Sequence, residues 1–591
     1  NIYAVNGQTL KIDSGVTVQG FAGLGQNWTG STIINAGVID ANVSGQWVSI
    51  GPTNFINQGV LKVSGGLLAL GGGWSNSGLI SVTSGTLSLR GTFTRADIVG
   101  AGRFSRTGGV VNLETELNLG GGTLDIGAAT FGTGGLSWVN GTLKNGTLIS
   151  GDGTALNVAD NKHGLDGITI GSNLTVLGHA GIWGGLTLAD GITVDKGNYN
   201  WYFNGQDSGQ ASGTVHHLAS LGSSLVKSSG GAINIYAVNG QTLQIDSGVT
   251  VQGLVSLGQN WTGSTLVNAG TLNIQNGTFG IGTSTALNSG VIDFQTNSIL
   301  SASYGLTNTG TLSGSGRIDI GNSRQLINQG TISLGRGDTI GSLVINGNVV
   351  FDASGRLNIK IAGKNTGQYD SITINGILSV SGGSYGALSV RKVNGFTYSN
   401  VSADTYRFMT ASSGINSAFA DVTAPLRSSM TVQSTSTDMS LVVVPMTLQV
   451  TPDVQGKFYG GQEPVIGFSA TGFDPRTSDT LSSAFAGSLG RVFGEAVGSY
   501  TIQSGTLVSP VGYAISLTPG VFTIGKALLT VTANAAGKTY DGVAYSGGNG
   551  VTYSGLVGAD TASSLSGTLT YSGTSQGAVN AGTYVITPGG L

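Results

Sequence analysis

Two adjacent histidines, His216 and His217, are the first residues in this 591-residue sequence whose type suggests metal chemistry. Two imidazoles can share a cation, but there is no H-E-x-x-H spacing and no Cys to complete a ligand set. A surface loop is the better reading of the pair. Carboxylates are the next candidates. Glycosidases and polysaccharide lyases need two or three acids, often with Arg or Lys, brought together by the fold. Asp13 and its repeat Asp246 sit in turn-like Ile-Asp-Ser-Gly settings, and Asp293 and Asp319 fall at different places in their repeats. No acid–base cluster stands out. No catalytic, cofactor-binding or metal-binding residue is assigned, and no enzymatic activity or cofactor is expected.

Arg336-Gly337-Asp338 is a candidate for attachment rather than catalysis, because integrins recognise this tripeptide. The plainer reading is a bend in which Gly337 turns the chain and Asp338 hydrogen-bonds its own loop. Asn-x-Ser/Thr sites, among them Asn27, Asn140, Asn145, Asn260 and Asn276, suggest glycosylation. In a chain rich in Asn, Ser and Thr such sites arise freely, and structural turns are preferred.

The elements that position these residues follow from composition and period. Gly supplies 103 of the 591 residues, and only 9% are charged, against a typical ~25%. Val, Ile and Leu alternate with Ser, Thr, Asn and Gly, which is strand-and-turn chemistry. The net charge is −3, so no basic face exists to neutralise nucleic-acid phosphates. No run of about 18 apolar residues could cross a membrane as a helix.

Residues 1–37 and 234–270 align without a gap. They differ only at Lys11/Gln244, Phe21/Leu254, Ala22/Val255, Gly23/Ser256, Ile33/Leu266 and Ile34/Val267; Trp28 maps to Trp261. Within the second copy an Asn-x-Gly core recurs every 20 residues, at Asn268, Asn288, Asn308 and Asn328. The first copy shows it at Asn35, Asn57 and Asn76. One such unit cannot bury its own apolar side chains, but stacked units bury them against each other. The expectation is an all-β chain. A right-handed parallel β-helix of ~20-residue turns comes first, with the Asn side chains stacked into a ladder and Asn and Gly at positive-φ bends. The strands "NIYAV" and "TLKID" flank a turn at Asn6-Gly7. A leucine-rich repeat solenoid is the competitor, but its Leu spacing is missing.

Proline marks the far boundary. Pro52 is the one proline before Pro425, and eight lie from Pro425 onward. A long ladder excludes proline, so ordinary loops begin there. The chain divides into residues 1–233 and 234–345, the two copies of the solenoid unit; 346–447, terminal rungs and a cap; and 448–527 and 528–591, two small, mostly β modules. The modules share signatures: Lys457, Tyr459 and Gly460 in the first, and Lys538, Tyr540, Asp541 and Gly542 in the second. Both tyrosines are expected to pack in a core or turn. The second module lacks a final strand like "GVFTIGKA".

The Asn-x-Gly coils resemble the repeat region of filamentous-haemagglutinin-type exoproteins and related autotransporter passengers. Residues 341–383 resemble an end-of-passenger repeat, and the Lys-x-Tyr signatures resemble MBG and YDG modules. The resemblance implies a secreted or bacterial cell-surface adhesin, exported across the outer membrane by two-partner secretion or through an autotransporter barrel. It implies a rigid stalk presenting loops and C-terminal modules for adhesion, aggregation or biofilm. The implied partners are an outer-membrane transporter and host or matrix glycans, proteins or neighbouring cells. With neither a secretion domain nor a barrel in view, an internal segment of a longer protein is expected. A β-helical carbohydrate-active enzyme and the stalk of a toxin-delivery exoprotein are the alternatives.

Overall fold

A computed structural model describes residues 1–25, 29–204, 212–230, 233–253, 255–258, 263–321, 323–381, 385–397 and 403–591. The repeated Trp28 and Trp261, Leu254, and the Asn-x-Thr sites at Asn27 and Asn260 lie outside the described residues. The chain forms two compact units. One is built from Asn1–Thr397, Asp404–Pro425 and Met430–Val442; Val443–Leu591 with Leu426–Ser429 makes most of the other.

The first unit is a parallel β-solenoid. Short strands pair with the strand one turn later, in parallel and in register. Alternate side chains point inward and form the core. Leu272, Ile292, Leu312, Ile332 and Leu357 occupy one inward file, each in register with the next and each buried. The hydrophobic effect acts here between turns rather than within one.

The Asn-x-Gly coils behave as their period requires. Asn268, Asn288, Asn308 and Asn328 stack in register and are buried. Each Nδ2 donates to the next Oδ1 at 2.7 Å. Asn35, Asn57 and Asn76 form the same ladder, again at 2.7 Å. Buried amides need partners, and an identical amide one turn away supplies them.

The glycine of the core has a different role from the one expected. Neither Gly290 nor Gly310 lies at positive φ, and the ladder asparagines do not either. Glycine is required because the previous turn approaches too closely. A Cβ on Gly290 would collide with the carbonyl oxygen of Gly270, and one on Gly310 with that of Gly290.

The 20-residue turn is local to this region. Leu165 pairs with Ile182, 17 residues later, and Ile372 with Met409, 37 residues later. The stacked strand fixes the register, and the corners absorb the difference. Asn6-Gly7 is such a corner and does not close a hairpin, since Thr9–Ile12 pairs with Thr32–Asn35 of the next turn. In the first copy, Ile2 makes an isolated bridge. In the second copy the same sentence forms the strand Ile233–Ala237.

The second unit is a different kind of fold. Thr447–Pro452 pairs antiparallel with Phe468–Thr471 and parallel with Ala514–Leu517. Val521–Gly525 lies between Gln455–Phe458 and Gly498–Gln503. Val450, Ile466, Ile502, Phe522 and Ile524 fill the core between these sheets. Further on, Thr530–Ala533 pairs with Val551–Ser554, and Thr570–Ser572 with Thr587–Gly589.

Candidate functional site

His216 and His217 lie on the strand Val215–Ser220 rather than in a surface loop. Successive strand side chains face opposite ways. His216 is buried, with Nε2 2.7 Å from Gln241 Oε1, and burial lowers its pKa. His217 faces out, and its Nδ1 lies 2.9 Å from Asp246. The two rings therefore cannot share a cation. Among the described residues no group of three or more His, Asp or Glu side chains could hold a metal.

Several acids of the solenoid sit against bases, on neighbouring turns or on the same strand. Lys144 lies 3.0 Å from Asp166 and 3.9 Å from Glu116, and the Asp166 hydrogen bond is the main cause of its raised pKa. Arg90 pairs with Glu114, and Lys62 with Asp40. The duplication preserves one such arrangement with altered chemistry. Lys11 pairs with Asp13 at 2.7 Å, and Gln244 donates to Asp246 at 2.8 Å.

Arg336-Gly337-Asp338 forms an exposed bend after the strand Thr331–Leu334, with Gly337 at φ +55°. Its charged groups are engaged by the solenoid itself. Arg336 Nε donates to Asp293 Oδ1 at 3.1 Å, and its Nη2 also contacts that carboxylate. Asp338 pairs with Arg391 at 2.6 Å, and Arg391 also donates to the Gly337 carbonyl at 2.7 Å. The loop is closed by Thr339, whose Oγ1 accepts from the Arg336 N–H and donates to its carbonyl, not by Asp338. A ligand for this tripeptide would first have to break two surface ion pairs, each worth about 0–1 kcal/mol. Asn276 is exposed at a bend, Asn145 is exposed within the strand Thr142–Ile149 at φ +52°, and Asn140 is half-buried.

Lys457 of the first module carries a charge network. Its Nζ lies 2.9 Å from Glu463 and 2.6 Å from Glu495. Arg491 binds both acids, and its guanidinium carbon is 5.0 Å from the ring centroids of Tyr500 and Phe522. Arg491, then Lys457, holds the Glu463 carboxyl down to about 2 against a desolvation cost. Tyr459 packs against the core, as expected.

The second module repeats the turn but not the packing. Gly460 and Gly542 both have φ +72°. Lys538 pairs with Asp541 at 2.9 Å and donates to the Val543 carbonyl at 2.6 Å. Tyr540, however, is 67% exposed, which corrects the expectation of a packed ring. Other details confirm that the modules correspond. Tyr500 donates to the Ala496 carbonyl and Tyr584 to the Asn580 carbonyl, each four residues back. Thr480 and Thr561 each open a capping box with Ser three residues on. The residues just before them differ in partner: Asp479 accepts from Tyr513 of its own module at 2.7 Å, whereas Asp560 hydrogen-bonds Tyr459 of the first module.

Sequence reasoning missed Asp479. It accepts two bonds from Arg427, at 2.7 and 2.9 Å, as well as the Tyr513 hydroxyl. It also missed Lys360 and Asp370, a buried pair 3.0 Å apart in the late turns. Asp370 accepts the N–H groups of Gly341 and Lys360 at 2.6 and 2.7 Å. Burial still pushes its carboxyl up.

The MBG domain (YGX type) family model matches residues 448–523 and again 529–591. Both C-terminal modules are thus similar to one domain type, and the Tyr-Asp-Gly spelling of the second does not set it apart. No curated protein matches the chain. A parallel β-solenoid followed in sequence by MBG-type modules fits an adhesin-like exoprotein in outline.

Proposed function

We propose that this chain belongs to a secreted or bacterial cell-surface adhesin. In this reading a rigid β-solenoid displays its corner loops, and MBG-type modules extend the adhesive part of the protein. Its targets are glycans, matrix proteins or neighbouring cells, in adhesion, aggregation or biofilm. Export uses an outer-membrane transporter. The observation that carries the reading is the in-register stacking of turns in a chain that also holds two MBG-type modules.

The mechanism is mechanical and multivalent. Repeated corners place similar polar groups at intervals of one strand spacing, ~4.8 Å. Weak contacts then add along the length, because each binding event raises the effective concentration for the next.

The test uses beads coated with the chain at rising density. Retention on epithelial cells and on extracellular matrix is expected to rise more steeply than coating density. Retention no higher than that of albumin-coated beads, or release of reducing sugar from the matrix polysaccharides, would overturn the proposal.

A further inference from the structure

One corner of the solenoid is closed by links of uneven length. Three residues join the flanking strands at 282–284 and at 303–305, four at 321–324, and Gly347 alone in the next turn. The strands after the corner keep their register through these turns, so the difference in length falls at the surface. Tyr304 and Arg324 belong to two of the longer links. Thr307, Gln325, Ile327 and Asn348 follow on the strands, at positions that alternate with the buried Leu306, Leu326, Asn328 and Val349 and therefore face outward. These links and strands line a recess of about 380 Å³. Its lining comes from four successive turns, which span about 14 Å along the stack.

Arg324 is exposed and carries the one charge among the lining residues. Arg90, Arg317, Arg336 and Arg391 of the same solenoid each pair with an acid. Arg324 has no acid partner among the described residues, so its guanidinium is left to a ligand. Gly305, at φ +97°, brings the Tyr304 link against the Arg324 stem: a Cβ on Gly305 would lie 3.8 Å from that of Arg324. Asn348 Oδ1 accepts the Ile377 N–H at 3.0 Å, which leaves its Nδ2 to donate. Each lining group has a counterpart on an acidic sugar. A guanidinium fork matches a carboxylate. Amides and hydroxyls match ring hydroxyls. The half-buried Tyr304, with Ile327, offers apolar surface to the C–H face of a pyranose.

We propose that this recess binds a uronic acid unit within a polysaccharide chain. Arg324 takes the carboxylate in a bidentate pair, Tyr304 covers one face of the sugar ring, and Thr307, Gln325 and Asn348 bond hydroxyls. The recess is longer than one sugar ring, so it holds neighbouring units along the stack and favours an internal unit over a terminal one. The site gives a ligand class to the glycan part of the adhesion proposed above and rests on that reading.

The experiment titrates the full chain with a hyaluronan tetrasaccharide, which alternates glucuronate with N-acetylglucosamine, and follows the heat of binding. The same tetrasaccharide with its carboxyls methyl-esterified is expected to bind about tenfold more weakly or worse, and this arm needs no variant to fold. Arg324→Gln and Tyr304→Ala are each expected to weaken binding of the acid by a similar factor. Arg356→Gln removes an exposed charge outside the recess and is expected to change nothing. Equal binding of acid and ester, equal binding by Arg324→Gln and the unaltered chain, or an equal loss in Arg356→Gln overturns the proposal. So does the absence of heat at the highest soluble concentration of tetrasaccharide. Bead retention on matrix, measured alongside, separates the two readings. Retention without tetrasaccharide binding overturns this site and leaves adhesion standing, whereas Arg324-dependent binding without retention overturns adhesion and leaves the site.

Discussion

The coils at 268–328 and the late turns around Lys360 meet the same problem by opposite chemistry. Both bury polar side chains inside a solenoid. The coils use neutral amides, each bonded to the same residue on an adjacent turn. The late turns use an ion pair, Lys360 with Asp370, held by two backbone N–H groups and by the Leu334 carbonyl. The ladder spreads its bonds over several turns, amide to amide and amide to nearby backbone carbonyl. The ion pair concentrates them in two residues, each of which leaves a charge stranded if the other is lost.

The largest effect is therefore expected from Asp370→Ala. It should destabilise the late turns by about 3–5 kcal/mol, because Lys360 remains buried without its counter-ion. Local hydrogen exchange in Arg356–Ile361 is the measurement, and a loss below about 1 kcal/mol would erase the contrast. Asn308→Ala should cost about 2 kcal/mol in the middle of the ladder, where Asn288 loses an acceptor and Asn328 a donor. Urea titration read by exchange in Thr311–Ile320 would show it.

Lys196 supplies a charge without a strong partner. It is buried, donates to the Tyr199 carbonyl at 2.6 Å, and is pushed down to about 7, chiefly by desolvation. The unfolded chain holds this proton more tightly, so the native turns gain stability as pH rises from 7 toward 10.5. Lys196→Met should stabilise this part of the solenoid by about 2 kcal/mol below pH 7. The gain should fade toward pH 10.5. A gain independent of pH, in melts between pH 6 and 10, would remove the charge from the explanation.

The smallest effect sharpens the ladder itself. Asn35 and Asn268 each leave Oδ1 without a partner, and Ile12 and Ile245 precede them in register. An asparagine at Ile245 would donate to that free oxygen. Ile245→Asn should therefore cost about 1 kcal/mol less than Ile274→Asn, where no ladder waits. Equal losses in chemical denaturation would show that the ladder gains nothing from another member.

The ladder was legible in the sequence because its period is strict at 268–328 and its partners are identical residues. The corner loops were not, because the stacked strands fix register while corner length is free to vary between Leu165/Ile182 and Ile372/Met409. The Lys360–Asp370 pair was hidden for a related reason. The two residues meet through a local antiparallel excursion, marked by the Ile361–Tyr369 bridge, that no repeat announces. His216 and His217 misled as a pair because adjacency in a strand means opposite faces. Tyr540 misled because the shared signature fixes the turn, with Gly460 and Gly542 at the same φ, and not the surroundings of the ring.

The collision that forbids a side chain at Gly290 and Gly310 also constrains how such a gene can grow. Each glycine makes room for the coil before it, and each asparagine answers the coil before it. A tandem insertion that is not a whole number of coils would set a branched residue where a carbonyl already lies. Whole coils are thus the heritable unit. The six differences between residues 1–37 and 234–270 leave Asn35 and Gly37 matched to Asn268 and Gly270, while apolar neighbours such as Ile33 and Leu266 have drifted.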